Sequence, residues 1–199
     1  NLFQSDKYDV SFNPVPDVRV KFRDAGHILG SAVIEIWIRE DGQTSKLVFT
    51  GDLGNNDMPI LRDPTIIDGA DYLVIESTYG DRLHRKASDE VERFVNAITE
   101  TIDRGGNVII PSFAVGRTQE VIYQLFKEEQ KYRGRREKFL RTPVYIDSPL
   151  ATSATEVFRK NTDCYDEETK AYIADGKNPL DFSDLHFTQS VEDSKWLNE

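Results

Sequence analysis

The sequence predicts an α/β protein in two successive parts, an antiparallel sheet segment followed by a Rossmann-like parallel α/β layer. Three observations carry that expectation. Between residues 18 and 50 apolar and polar residues alternate with the period of half-buried strands, and Asp41-Gly42 supplies a turn between two of them. At Tyr72-Leu73-Val74-Ile75 the pattern becomes a continuous apolar run, as expected of a strand covered on both faces. From there on strands and helical patterns alternate, which implies parallel crossovers and a doubly wound sheet. The division between the two parts is expected at residues 87/88.

Residues 1–16 are expected to be irregular, because Pro14 and Pro16 lack the backbone N–H that a sheet ladder needs. Val18-Arg19-Val20-Lys21-Phe22 reads as the first strand, Ala32 to Ile38 as the second, and Lys46 to Thr50 as the third. Ser88 is a suitable N-cap for a helix bearing Val91, Phe94, Val95, Ile98 and Ile102 on one face, closed by Gly105-Gly106. Val108-Ile109-Ile110 is read as a strand. A helix over 118–129 follows, with Val121, Ile122, Leu125 and Phe126 inward. Val144-Tyr145-Ile146 is the next strand, then helices over 151–159 and 166–174, and a last strand at Leu185-His186-Phe187.

Composition narrows the class. Of the 199 residues, 38% are hydrophobic and 11% aromatic, enough for a core and unlike a disordered chain. No apolar run approaches the ~20 residues needed to span a bilayer, so no membrane partner is expected. Cys164 is the only cysteine, which excludes an intrachain disulfide or thiolate zinc cluster and suits a reducing, cytoplasmic setting. The net charge of −10 runs against nucleic acid as a partner. Locally, however, Lys131, Arg133, Arg135, Arg136, Lys138 and Arg141 face only Glu137. That run reads either as a solvated loop or as a patch that tracks phosphates.

The candidate site residues sit at strand ends. His27 and Asp52 each follow a glycine, Gly26 or Gly51, so the backbone can turn sharply and aim the side chain inward. Imidazole and carboxylate are ligand types of a catalytic zinc or manganese centre. Glu76 closes the apolar strand. Singly, His27 could be a core histidine, Asp52 a turn cap and Glu76 half of an ion pair with Arg82. Together, at three strand ends, they point to a joint site at one edge of the sheet. Two further loops, Pro111-Ser112-Phe113-Ala114-Val115-Gly116-Arg117-Thr118 and Asp147-Ser148-Pro149-Leu150-Ala151-Thr152, open helices. Ser112, Gly116, Arg117 and Ser148 are therefore candidate phosphate contacts, against the alternative that such turns collect small polar residues for capping alone. His186 reads as structural and Cys164 as inert.

In order, Asp24-Ala25-Gly26-His27-Ile28-Leu29-Gly30-Ser31, Phe49-Thr50-Gly51-Asp52, Glu76-Ser77-Thr78-Tyr79-Gly80, Pro111 to Arg117 and Asp147 to Ala151 resemble the β-CASP branch of the metallo-β-lactamase superfamily, RNA-processing type. The resemblance covers nearly the whole chain. It implies that residues 1–87 are the later part of a metallo-β-lactamase-like antiparallel sheet and 88–199 an incomplete β-CASP layer. It makes His27 a ligand of one zinc and Asp52 a carboxylate bridging two zincs, with manganese as an alternative metal. Glu76 becomes an acid that orients a later histidine and aids the leaving group. Glutamate at that position leans toward RNA rather than DNA. His84 occupies a place often held by histidine in the RNA-processing members. The His-x-His-x-Asp-His signature of the family is nowhere in the chain, nor are its two later histidines, so an internal segment of a longer protein is expected. The implied chemistry is two-metal hydrolysis of RNA phosphodiester bonds, with RNA as partner, room for a homodimer, and little metal binding or catalysis by the segment alone. Rival readings are a hydrolase of small esters or thioesters on the same fold, and a non-catalytic scaffold of RNA processing.

Overall fold

A computed structural model describes residues 4–83, 87–132 and 141–197. His84 and residues 133–140 of the basic run lie outside them. The chain divides into two compact units, Asn1–Asp81 and Arg82–Glu199, upstream of the expected division at 87/88.

The first unit is a five-stranded sheet in sequence order: β1 (Ser11–Val15), β2 (Val18–Asp24), β3 (Ala32–Glu40), β4 (Gln43–Phe49) and β5 (Tyr72–Val74). The β2–β3–β4 meander is the one expected. Its tight turn has Asp41 and Gly42 both at positive φ, 48° and 77°, the geometry whose twist matches flanking strands. Asp24 is registered with Ala32, so β2 and β3 end and begin together at the candidate edge. The core beneath that edge is Ala25, Val33 and Val48, with Leu53 and Ile67 packed on it.

Two expectations fail in this unit. Residues 11–15 form a strand rather than an irregular lead-in, antiparallel to β2. Pro14 is accommodated because β1 is an edge strand whose register slips between Phe12 and Val15. The run Tyr72–Ile75 is not covered on both faces; all four residues are more than half exposed. Among the described residues strand β5 pairs, in parallel, with β4 alone, which leaves its other edge without a ladder.

The second unit holds α1 (Ala87–Asp103), α2 (Arg117–Tyr132), β6 (Val144–Ile146), α3 (Pro149–Lys160), α4 (Glu167–Ala174), β7 (Leu185–Phe187) and α5 (Val191–Trp196). Among the described residues its sheet is β6 and β7 alone, parallel, with Tyr145 opposite His186. The helical faces agree with the pattern. Val95 and Ile98 of α1 are buried, as are Ile122, Leu125 and Phe126 of α2. Helix α1 begins at Ala87, which places Ser88 in its first turn rather than at the cap. It ends as expected, with Gly105 at φ 79° and the Gly106 N–H donating to Thr101. Val108–Ile110 is not a strand: among the described residues the segment has no ladder partner, and Ile109 is 89% exposed. An apolar run long enough for a strand still needs a neighbour to bond to. His186 is exposed and stacks on Tyr145, ring centroids 5.1 Å apart. Among the described residues no helix is long and apolar enough to cross a membrane.

The short helix α5 carries a pH dependence. Ser190 accepts the Asp193 N–H, while the Asp193 carboxylate accepts the N–H groups of Gln189 and Ser190. The Gln189 N–H, then the Ser190 hydroxyl and N–H, hold the Asp193 carboxyl below its usual range. A depressed folded pKa means the stabilisation is present above the ordinary aspartate value of about 3.9 and is lost as pH falls through the lower folded value. Acid titration by NMR should show α5 fraying with Asp193 protonation, and Asp193→Asn should remove that transition. An unchanged acid profile in the variant would contradict the assignment.

Candidate active site

Two glycine-dependent turns bring the candidate residues together in the first unit. After β2, the Asp24 carboxylate accepts the Gly26 N–H at 3.0 Å, and Gly26 sits at φ 63°. A Cβ on Gly26 would lie 2.7 Å from the Pro64 nitrogen, so only glycine fits. The Ser31 hydroxyl then accepts the N–H groups of His27 and Ile28, both at 3.2 Å, and the Ala25 N–H reaches the Ser31 carbonyl. After β4, the chain turns so that the Gly54 N–H donates to the Ala25 carbonyl at 2.9 Å. The two loops touch at their backbones here: a Cβ on Gly54 would stand 1.8 Å from the Gly26 oxygen.

The contact sets His27 Nε2 3.8 Å from Asp52 Oδ2, with both side chains open to solvent, 42% and 75% exposed. Glu76 follows β5 directly. Its carboxylate accepts the Leu53 N–H at 2.5 Å and its own N–H reaches the Thr50 hydroxyl at 3.4 Å, tying the third strand end to the loop that carries Asp52. The Leu53 N–H, then the Thr78 hydroxyl, hold the Glu76 carboxyl below the usual carboxylate range, and His27 adds to this. His27, Asp52 and Glu76 therefore share one edge of the sheet.

The donor set fits a divalent metal in part. Two donors on one zinc at ~2.1 Å each stand about 3.4 Å apart in tetrahedral geometry, close to the separation of His27 and Asp52. Among the described residues no three His, Cys, Asp or Glu side chains converge as a metal site. One imidazole and one carboxylate make one edge of a coordination polyhedron.

The second unit's loops bond largely within themselves and to the helices they open. The Gly116 N–H is buried and donates to Gln119 Oε1 at 2.8 Å, so it is not offered to an anion. The N–H groups of Arg117 and Thr118 are spent on Val115 and Phe113 carbonyls. These three N–H groups are taken up within the turn; Ser112 and Arg117 are exposed there, and the Arg117 guanidinium pairs with Glu120 at 3.0 Å. Ser148 is the N-cap of α3, its hydroxyl accepting the Ala151 N–H at 3.2 Å, and its oxygen is thus engaged in capping. Gln119, which the sequence did not single out, is fully buried and bonds Ala114 and Thr155 with its amide nitrogen, fastening the loop to α3. Arg62 was also missed; it pairs with Asp24 at 3.0 Å.

Residues 118–199 match the family described as Beta-Casp domain. The chain is 36% identical over 177 residues to Ribonuclease TTHA0252 of Thermus thermophilus, an alignment covering 89% of this chain and 38% of that protein. This is a β-CASP family chain. The β-CASP relatives extend across kingdoms. Transcription termination factor FttA of Lokiarchaeum sp. is 34% identical over 185 residues, 90% of this chain and 28% of that protein. Cleavage and polyadenylation specificity factor subunit 3 of Dictyostelium discoideum is 29% identical over 176 residues, 88% and 22% respectively. The β-CASP chain thus spans well under half the length of these relatives. Its antiparallel sheet followed by helices and a small parallel sheet agrees with the family fold.

Proposed function

We propose that this β-CASP chain is part of a metal-dependent ribonuclease acting in RNA processing or decay in the cytoplasm. The observation that carries the reading is the His27–Asp52 pair at 3.8 Å, with Glu76 bonded to the same loop. Support comes from relatives whose names are ribonuclease, cleavage and polyadenylation factor, and termination factor.

In this reading His27 and Asp52 hold divalent metal, two zinc ions per complete site or manganese in their place. A metal held there would supply Lewis acidity toward water and the scissile phosphate. The Ser31 hydroxyl fixes the His27 backbone and the Gly54–Ala25 bond fixes the loop that carries Asp52, so the two donors would be presented from anchored backbone. Glu76 stays fixed by the Leu53 N–H at the rim of the site. Arg117 and Ser112 present exposed polar groups for the RNA backbone. The segment by itself holds too few donors for tight metal binding.

The test uses the full-length protein, stripped with chelator and assayed on labelled single-stranded RNA with Zn²⁺ or Mn²⁺ restored. Cleavage should vanish on stripping and return with metal. Cleavage that persists at full rate in the stripped protein sinks the proposal. Elemental mass spectrometry of the 199-residue chain after zinc dialysis should find well under one zinc per chain.

A further inference from the structure

We infer that Arg62 is a positioning residue for His27, acting through the buried carboxylate of Asp24. The inference rests on the metal-site reading of His27 and Asp52 and adds a residue outside every motif that led to it.

Asp24, at the end of β2, is 8% exposed, and its carboxylate has two bonds. Oδ1 accepts the Gly26 N–H at 3.0 Å and Oδ2 accepts Arg62 Nη2 at 3.0 Å. The Asp24 carbonyl accepts the Thr65 N–H at 2.9 Å. The Arg62 carbonyl and Pro64 lie where a Gly26 Cβ would stand, at 2.9 and 2.7 Å. The 62–65 segment therefore clasps the turn from one side, while Gly54 bonds Ala25 from the other. His27 is the next residue along. Its ring, 42% exposed, meets the Asp52 carboxylate at 3.8 Å, and its backbone is fixed by the bond to the Ser31 hydroxyl.

Removing the Arg62 cation leaves a buried carboxylate with a single backbone donor, and such a group turns toward water. When Asp24 turns, the Gly26 N–H loses its acceptor and the turn that aims His27 is released. Partners behind a metal ligand commonly set its affinity by 10–100-fold. Arg62 and Asp24 stand in that relation to His27.

The experiment is an NMR titration of the 199-residue chain, labelled in its histidine rings, with Mn²⁺. Paramagnetic broadening of the His27 ring reports metal at the site, and His186 serves as reference. A cross-peak between the His27 ring and the Asp52 methylene, read without metal, reports the geometry directly. Arg62→Met should shift the broadening midpoint about tenfold or more to higher Mn²⁺ and erase the cross-peak, with Arg62→Lys recovering most of both. Asp24→Asn, which keeps an acceptor for the Gly26 N–H, is the second variant if Arg62→Met fails to fold, and should weaken both signals in the same direction. An unchanged cross-peak and midpoint in a folded Arg62→Met chain overturn the inference. If the unaltered chain gives the cross-peak but no broadening, the metal reading fails for this chain, and an Arg62-dependent cross-peak still upholds the positioning.

Discussion

Asp52→Ala in the full-length protein is expected to lower RNA cleavage by about a thousandfold or more while leaving RNA affinity within a few fold. Metal-assisted hydrolysis draws several kcal/mol of barrier lowering from charge at the metal, and ~1.4 kcal/mol corresponds to each tenfold in rate. Asp52 is the carboxylate of the pair, and its 75% exposure means that its loss opens no cavity in the fold. The change should thus appear in kcat with the melting temperature preserved. Single-turnover cleavage alongside a filter-binding titration separates the two effects. Cleavage within tenfold of the unaltered protein would remove Asp52 from the site, and loss of binding in step with cleavage would make it a substrate contact.

The second large effect belongs to Gly54→Ala. The added methyl would stand 1.8 Å from the Gly26 oxygen, 2.2 Å from its carbonyl carbon and 2.8 Å from the His27 nitrogen. All three are backbone atoms, so no side chain can swing aside. Overpacking ordinarily costs about 1–3 kcal/mol, and a backbone clash belongs at the upper end or beyond. Thermal unfolding followed by circular dichroism should show a midpoint lowered by roughly 10 °C or more. The Gly54–Ala25 hydrogen bond is what holds the two loops together, so a folded remnant should also show His27 parted from Asp52. A melting temperature within a degree or two of the unaltered chain would mean that the loops do not meet as described.

What could be read from residues alone follows the range of the interaction involved. The β2–β3–β4 meander was legible because strand period and the Asp41-Gly42 turn act over a few residues. His27, Asp52 and Glu76 were legible as a set because each sits just beyond an apolar strand, and three such ends must share an edge once the strands pair in order. Strand β1 was missed because Pro14 counts against a strand until its edge position and register slip are known. The Val108–Ile110 run was over-read, since propensity says nothing about whether a neighbouring ladder exists. Gln119 and Arg62 were invisible for a related reason. Their partners, Thr155 and Asp24, lie 36 and 38 residues away, and a polar residue in a short turn or helix start gives no sign of the distant group that will bury it. Gly116 differs: its N–H is taken by the Gln119 side chain only three residues on, a local bond that the composition of the loop does not reveal.

The parallel pairing of β4 with β5 has a consequence for how the first unit comes to be folded. Strands β1 to β4 are joined by short connections, so their ladders close early and at small entropic cost. Strand β5 reaches β4 only after residues 50–71 have looped back, and non-local pairings of that kind are slow. Thr50 receives its bond to Val74 in that step, and Glu76 its bond to Leu53. The edge bearing His27, Asp52 and Glu76 is therefore completed last on the folding path. A nascent or partly denatured chain is then expected to pass through a stage with a formed meander and no assembled candidate edge.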